Sequence, residues 1–132
     1  MNNDLLFVYG SLLDGDNEFG NYLTHNANFV ATAIFKGRMY DCGEYPGALE
    51  DINGYDIKGS VYQLKDPITC LAILDDYEGF GIEQEQPNLF VRKLISVTCN
   101  NKNVECWIYL YNLPLEDLTE IKSGDYIQYL KA

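Results

Sequence analysis

The chain has 132 residues, 47% of them hydrophobic and 22% charged, with nine basic against twenty acidic side chains and a formal net charge of -11. That length and apolar content suit one domain spanning residues 1–132 with one core. The acidic excess argues against nucleic acid or an anionic membrane as a partner, because a nucleic-acid binder needs clustered Lys and Arg to displace condensed counterions. An anionic small molecule would have to be received locally, by backbone N–H groups and a few hydroxyls.

Met1-Asn2-Asn3-Asp4 lacks the basic start and apolar stretch of a signal peptide, and no apolar run approaches the length of a membrane span, so a cytoplasmic protein is expected. Cys42, Cys70, Cys99 and Cys106 show neither C-x-x-C spacing nor a companion histidine cluster. They read as reduced, mostly buried thiols, and neither zinc nor a redox pair is indicated.

Leu5 to Val8 is a short apolar run, a buried strand that enters a turn at Gly10, and a short helix is expected around Asn17 to Leu23. Phe29 to Tyr40 reads as extended structure interrupted at Gly37. Ile57 to Leu64 is a strand by its β-branched and aromatic content. A helix follows at once, with Asp66 as N-cap, Pro67 at its first position and Gly79 as its stop.

Phe90 to Cys99 and Val104 to Tyr111 are strand-like runs joined by Asn100-Asn101-Lys102-Asn103, an antiparallel hairpin. Leu115 to Ile121 is expected as a short helix, and Tyr126 to Leu130 as a terminal segment packing on the core. Strands outnumber helices. The fold class is therefore α+β, a small and mostly antiparallel barrel or curved sheet flanked by short helices.

Within the central helix, Pro67, Cys70, Leu71 and Leu74 form one apolar stripe at i, i+3, i+4 and i+7, and Glu78 comes next on it. If the helix persists that far, the carboxylate leans toward the apolar face. Partial desolvation, the neighbouring Asp75 and Asp76, and the negative end of the helix dipole would each raise its pKa, which suits a general acid/base at neutral pH. The alternative is that the helix ends early and Glu78 points to water.

The first loop, Tyr9-Gly10-Ser11-Leu12, offers a second candidate. Gly10 follows a buried strand and permits a φ closed to other residues, so that successive N–H groups and the Ser11 hydroxyl can face a ligand carboxylate. The same residues also make an ordinary turn.

The strand with Tyr9-Gly10-Ser11-Leu12, then Tyr45-Pro46-Gly47, then Leu74-Asp75-Asp76-Tyr77-Glu78-Gly79, resembles the gamma-glutamylcyclotransferase-like family in order and spacing. The similarity continues through Phe90-Val91-Arg92, Trp107-Ile108-Tyr109-Leu110-Tyr111 and Ser123-Gly124-Asp125. The resemblance implies a small mixed barrel whose cavity takes a gamma-glutamyl substrate, with the Tyr9 to Leu12 loop holding it and Glu78 matching the family's catalytic glutamate. It implies a reaction in which the substrate's α-amine attacks its own γ-carbonyl, giving 5-oxoproline and a free amine without metal or cofactor. Two positions depart from the family pattern: Leu13-Asp14-Gly15-Asp16-Asn17 where many relatives place a basic residue before the asparagine, and Phe90 where relatives often have tyrosine.

Tyr45 precedes a Pro-Gly turn signature and is a candidate substrate contact, against simple packing in an aromatic-rich chain. Tyr109 and Tyr111 alternate with Ile108 and Leu110, so the two pairs face opposite sides of a strand. A thiol route through His25 with Cys42 or Cys70, and a calcium loop at Asp14-Gly15-Asp16-Asn17-Glu18, each lack the spacing their chemistry needs. The competing functions are a gamma-glutamyl amine or peptide cyclotransferase, a noncatalytic metabolite-binding domain, and a remover of a gamma-glutamyl protecting group.

Overall fold

The computed structural model describes residues 3–10 and 18–131 of the chain. In chain order its elements are β1 (Leu5–Val8), α1 (Glu18–Asn26), β2 (Ala27–Asp41), β3 (Pro46–Glu50), β4 (Tyr55–Leu64), α2 (Pro67–Glu78), β5 (Phe90–Cys99), β6 (Lys102–Tyr111), β7 (Thr119–Glu120) and α3 (Tyr126–Lys131). The strands run β3-β2-β4-β1-β6-β5, and a further pairing of β2 with β5 at Ile34 and Thr98 closes β2, β4, β1, β6 and β5 into a five-stranded barrel. Only β1 and β6 run parallel among these pairs. The expected mixed, mostly antiparallel α+β barrel with short helices is what forms.

Both faces of β1 are buried, which explains its continuous apolar run. Phe7 and Tyr9 join a cluster with Phe35, Ile57, Val97 and Ile108 that fills the barrel. Leu6 and Val8 join a second cluster on its outside, with Leu23 of α1 and Cys70, Leu71 and Leu74 of α2. The same rule assigns the faces of β6. Ile108 and Leu110 point into the barrel, whereas Tyr109 and Tyr111 lie in the second cluster.

Gly37 does not interrupt β2. It is the residue at which β2 passes from β4 to β3, paired with Tyr55 on one side and Glu50 on the other. A Cβ there would lie 2.1 Å from the Leu49 carbonyl oxygen, so the absence of a side chain is what admits the crossing. Pro46-Gly47 likewise opens a strand rather than making a turn; the turn lies earlier, where the Cys42 N–H donates to the Tyr45 carbonyl at 2.9 Å.

The β5–β6 hairpin turns on Asn100-Asn101 alone, with φ of 52° and 65°, so β6 begins two residues before the expected Val104. Asparagine tolerates positive φ, and a two-residue primed turn matches the strand twist. The expected helix over Leu115 to Ile121 is absent. Its apolar residues recur every third position but serve different surfaces: Leu115 and Leu118 pack on the outer cluster and Ile121 is buried in the barrel. Asp117 takes φ of 65°, and the Ile121 N–H donates to the Met39 carbonyl at 2.7 Å, so the segment runs as a turn into β7.

α2 obeys its local signals. The Asp66 side chain accepts from the Thr69 N–H, Pro67 occupies the first turn, and Gly79 ends the helix at φ 73°, ψ 35°. The Gly79 N–H reaches the Asp76 carbonyl and the Phe80 N–H the Asp75 carbonyl at 2.9 Å, the paired bonds of a glycine-capped helix end. The helix therefore persists through Glu78. No helix among the described residues is long and apolar enough to cross a membrane.

Candidate active site

Because β1 and β6 run side by side through the barrel and α2 packs across their outer face, five elements deliver side chains to one place. Phe7, Val8, Tyr9 and Gly10 from β1 and its exit, Tyr45 and Pro46 from the entry to β3, Glu78 from α2, Phe90 from β5 and Tyr109 from β6 enclose a small cavity of about 40 Å³. A water-sized group needs about 10–15 Å³. The cavity thus seats the few atoms of a ligand's reacting end.

Glu78 continues the stripe of α2 into this cavity. Cys70, Leu71 and Leu74 are buried along the same face, and Glu78 itself is half-buried. Burial pushes its carboxyl up to about 7, from an ordinary 4.5. Of the three influences expected from the sequence, burial accounts for this rise. Asp75 is engaged by the Arg92 guanidinium at 2.7 and 3.1 Å, and Asp76 is exposed and accepts from Gln84 Nε2 at 2.8 Å, so neither carboxylate stands unpartnered beside Glu78.

This shift has a sign that can be measured. A carboxyl raised above its unfolded value binds its proton more tightly when folded, so stability is highest below about 4.5 for this group and is lost as pH rises through 7. The loss is on the order of 3 kcal/mol once the carboxylate is ionised. Glu78→Gln, which cannot ionise, is expected to melt at a higher temperature than the wild type at pH 8 and at nearly the same temperature at pH 4.5, by thermal unfolding followed with circular dichroism.

Tyr9 is held by both ends of its hydroxyl. Its Oη donates to the Tyr109 carbonyl at 2.6 Å and accepts from the Ala48 N–H at 3.2 Å, and burial raises its pKa well above the ordinary phenol range. The ring therefore ties β1, β3 and β6 together under the cavity, and its hydroxyl has no donor left for a ligand. Tyr9→Phe would strand a buried carbonyl and a buried N–H, an expected destabilisation of about 1–3 kcal/mol in urea unfolding.

Gly10 is required for a different reason than expected. The described glycines at positive φ are Gly43, Gly79, Gly81 and Gly124, not Gly10. A Cβ on Gly10 would instead meet Pro46 Cγ at 2.7 Å and Cδ at 3.0 Å, so the residue is small because β3 begins against it. Ser11 and Leu12, the other half of the candidate loop, lie outside the described residues, as do Leu13, Asp14, Gly15, Asp16 and Asn17.

Tyr45 reaches the cavity, its ring 5.9 Å from that of Phe90, and its pKa is raised by burial first and then by Cys42 and Glu78. Phe90, noted in the sequence as a departure from the family pattern, and Tyr109, whose face the sequence left open, are both walls of the cavity. Tyr109 Oη donates to Asp75 Oδ1 at 2.7 Å, and Arg92 stacks over the Trp107 ring at 4.4 Å. The alternation of β6 was the available signal for Tyr109; its side became assignable only with α2 in place.

His25 is exposed on α1 with Nδ1 2.8 Å from the Asn21 carbonyl, while Cys70 is buried beneath α2 and Cys42 is half-buried beside Tyr111, so the thiol route is not assembled. All four cysteines are free. Among the described residues no group of three or more His, Cys, Asp or Glu side chains is placed to hold a metal ion.

Residues 6–128 match the family model described as gamma-glutamyl cyclotransferase, AIG2-like. A gamma-glutamylcyclotransferase family protein, ytfP, from Citrobacter rodentium is 31% identical over 92% of this chain and 94% of its own length. The gamma-L-glutamyl-butirosin B gamma-glutamyl cyclotransferase of Niallia circulans is 29% identical over 94% of this chain and 76% of its own. Among solved structures, the solution structure of ytfP from Escherichia coli superposes with a TM-score of 0.67 at 31% identity, covering 95% of this chain and 97% of that one.

Proposed function

The chain belongs to the gamma-glutamyl cyclotransferase, AIG2-like, family, and from that premise we propose that it is an enzyme that cyclises a gamma-glutamyl amine or gamma-glutamyl amino acid, with Glu78 as its acid/base. The observation that carries this reading is the position of Glu78. A half-buried carboxyl in the cavity wall, with its pKa raised to about 7, is divided between its two protonation states at neutral pH.

The chemistry needs little else. The substrate's α-amino nitrogen attacks its own γ-carbonyl carbon, a new C–N bond closes a five-membered lactam, and the old amide C–N bond breaks. Glu78 takes the proton from the attacking amine and returns it to the departing nitrogen, so 5-oxoproline and a free amine form with no net change in protons or oxidation state. Because the nucleophile is part of the substrate, the protein's main tasks are folding that substrate into a reactive conformer and carrying one proton. The aromatic walls Tyr45, Phe90 and Tyr109 serve the first task by excluding water from the reacting end.

The first loop belongs to the same proposal. Tyr9 and Gly10 line the cavity, and N–H groups of the Tyr9 to Leu12 loop, with the Ser11 hydroxyl, hold the substrate's glutamyl carboxylate. The cytoplasm is the proposed compartment, consistent with four free cysteines. The substrate is a small molecule.

The test is release of 5-oxoproline from a panel of gamma-glutamyl amines and dipeptides by wild type and Glu78→Gln. Equal turnover by both proteins would overturn the assignment of Glu78. A second reading, removal of a gamma-glutamyl group from a larger biosynthetic intermediate, has support from the relative named for gamma-L-glutamyl-butirosin B. It predicts that gamma-L-glutamyl-butirosin B, added to that panel, is turned over and that the small amines and dipeptides are not. Thermal protection by ligands without any turnover would favour a noncatalytic binding domain.

A further inference from the structure

Three side chains beside the cavity form a unit that the proton transfer does not itself use. Asp75 Oδ1 accepts from Arg92 Nε at 2.7 Å and from Tyr109 Oη at 2.7 Å, and Asp75 Oδ2 accepts from Arg92 Nη2 at 3.1 Å. The pair is well shielded, with side-chain exposures of 18% for Arg92 and 20% for Asp75. Arg92 is held from its other side by Trp107, whose ring lies 4.4 Å beneath the guanidinium, and it lies 5.8 Å from the Phe80 ring. One helical turn is thereby bound to β5 and β6 through a planar, two-pronged contact, a geometry that a lysine could not reproduce.

Asp75 and Glu78 are three residues apart on the last turn of α2, so they share one side of the helix end. Tyr109 links them, since its ring lines the cavity with Glu78 while its hydroxyl is committed to Asp75. Burial and Asp75 raise the pKa of that hydroxyl, with smaller contributions from Arg92, which lowers it, and Glu78, which raises it. Among the described residues no hydrogen bond or ion pair engages the Glu78 carboxylate, and Tyr109 is its neighbour in the cavity wall.

We infer that Asp75 is a positioning residue for Glu78: by occupying the Arg92 guanidinium and the Tyr109 hydroxyl together, it fixes the last turn of α2 against the barrel and withholds from Glu78 the cation and the donor that would otherwise hold it ionised. This rests on reading Glu78 as the proton carrier. The consequence is a carboxyl aimed by the backbone of a pinned helix end. The groups that face Glu78 are Tyr9 from β1, Tyr45 before β3, Tyr109 from β6 and, through Tyr109, Asp75 on its own helix and Arg92 on β5. The tyrosines stay neutral near pH 7, raised as they are by burial, so the Asp75–Arg92 pair supplies the charges that can be unbalanced.

The two halves of the pair make opposite predictions. Asp75→Asn removes a negative charge and leaves Arg92 uncompensated, which favours the Glu78 carboxylate; Arg92→Met leaves Asp75 uncompensated, which disfavours it. The experiment is titration of Glu78 by carbon-detected NMR on protein labelled at the glutamate side-chain carboxyl, assigned with Glu78→Gln. Relative to wild type, the midpoint is expected to fall in Asp75→Asn and rise in Arg92→Met, each by about 0.5–1 pH unit. Tyr109→Phe keeps the ring and both charges, so it folds most like the wild type and should lower kcat about 3–10-fold with little change in KM.

Unmoved midpoints in both charge variants would overturn the inference, as would shifts in the same direction, which mean a structural latch only. If either charge variant fails to fold, Tyr109→Phe still decides: wild-type kcat in that protein overturns the proposal. The titration needs no substrate. A protein with no turnover on any substrate but with opposed midpoint shifts would leave the positioning unit standing and remove the cyclotransferase reading alone.

Discussion

Glu78→Gln is expected to reduce 5-oxoproline release by roughly 10²–10⁴-fold at saturating substrate, with a change in KM of less than about threefold. Glutamine keeps the size of the side chain and its place on the α2 stripe while removing the exchangeable proton, so the loss should fall on kcat. The wild-type rate has its own signature. A base with a pKa of about 7 gives kcat/KM an acid limb that rises tenfold per pH unit below 7 and flattens above it, and that limb should vanish from the residual activity of the variant. A stopped assay of 5-oxoproline across pH 5 to 9 checks both statements. An acid limb that persists unchanged in Glu78→Gln would assign the titration to the substrate amine or another group.

This loss of rate accompanies a gain in stability, and the pairing is informative. A carboxyl kept in an apolar wall costs the folded state once it ionises, and a protein selected for stability alone would place an amide or an apolar residue there. The same substitution therefore moves activity and melting temperature in opposite directions above pH 7. Few explanations other than function account for a residue whose removal does that.

Much of this was legible in the residues because the signals for α2 are local. Asp66, Pro67 and Gly79 bound the helix in one sentence of sequence, and the i, i+3, i+4, i+7 stripe then puts Glu78 on the buried face without reference to the rest of the chain. The hairpin of β5 and β6 was legible for the same reason, except that Asn100-Asn101 at positive φ makes a tighter turn than four polar residues suggest. What was not legible depends on partners distant in sequence. Gly10 looks like a residue chosen for its φ, and it is one chosen for the approach of Pro46, 36 positions away. Leu115, Leu118 and Ile121 carry a helical spacing, but the two clusters they serve lie on opposite faces of a sheet built from other segments. Tyr109 belongs to the continuously buried end of β6, where alternation of apolar and polar residues, the usual sign of orientation, is lost, and Phe90 opens β5 ahead of the stretch in which that strand alternates.

Leu74→Ala is expected to cost about 2–5 kcal/mol of stability, read as a fall in the urea midpoint at unchanged slope. Leu74 has no exposed surface, and it lies in the outer cluster with Leu6, Val8, Phe90, Tyr109 and Tyr111, so truncation opens a void among residues that cannot close it without moving a strand. The same contacts tie this core position to the site. Val8, Phe90 and Tyr109 are walls of the cavity on one side and packing partners in the Leu74 cluster on the other, and Glu78 sits one turn further along the helix that Leu74 anchors. A void at Leu74 should therefore lower kcat by about tenfold even at temperatures where the variant remains folded, because small displacements of a reacting group are costly in an intramolecular reaction that relies on positioning. Leu71, packed in the same cluster and like Leu74 absent from the cavity wall, lies two turns from Glu78 instead of one and is the control: Leu71→Ala should destabilise comparably and leave kcat within about threefold of wild type. Equal kinetic losses in the two variants would mean that the helix as a whole, and not the wall it shares with the cavity, sets the rate.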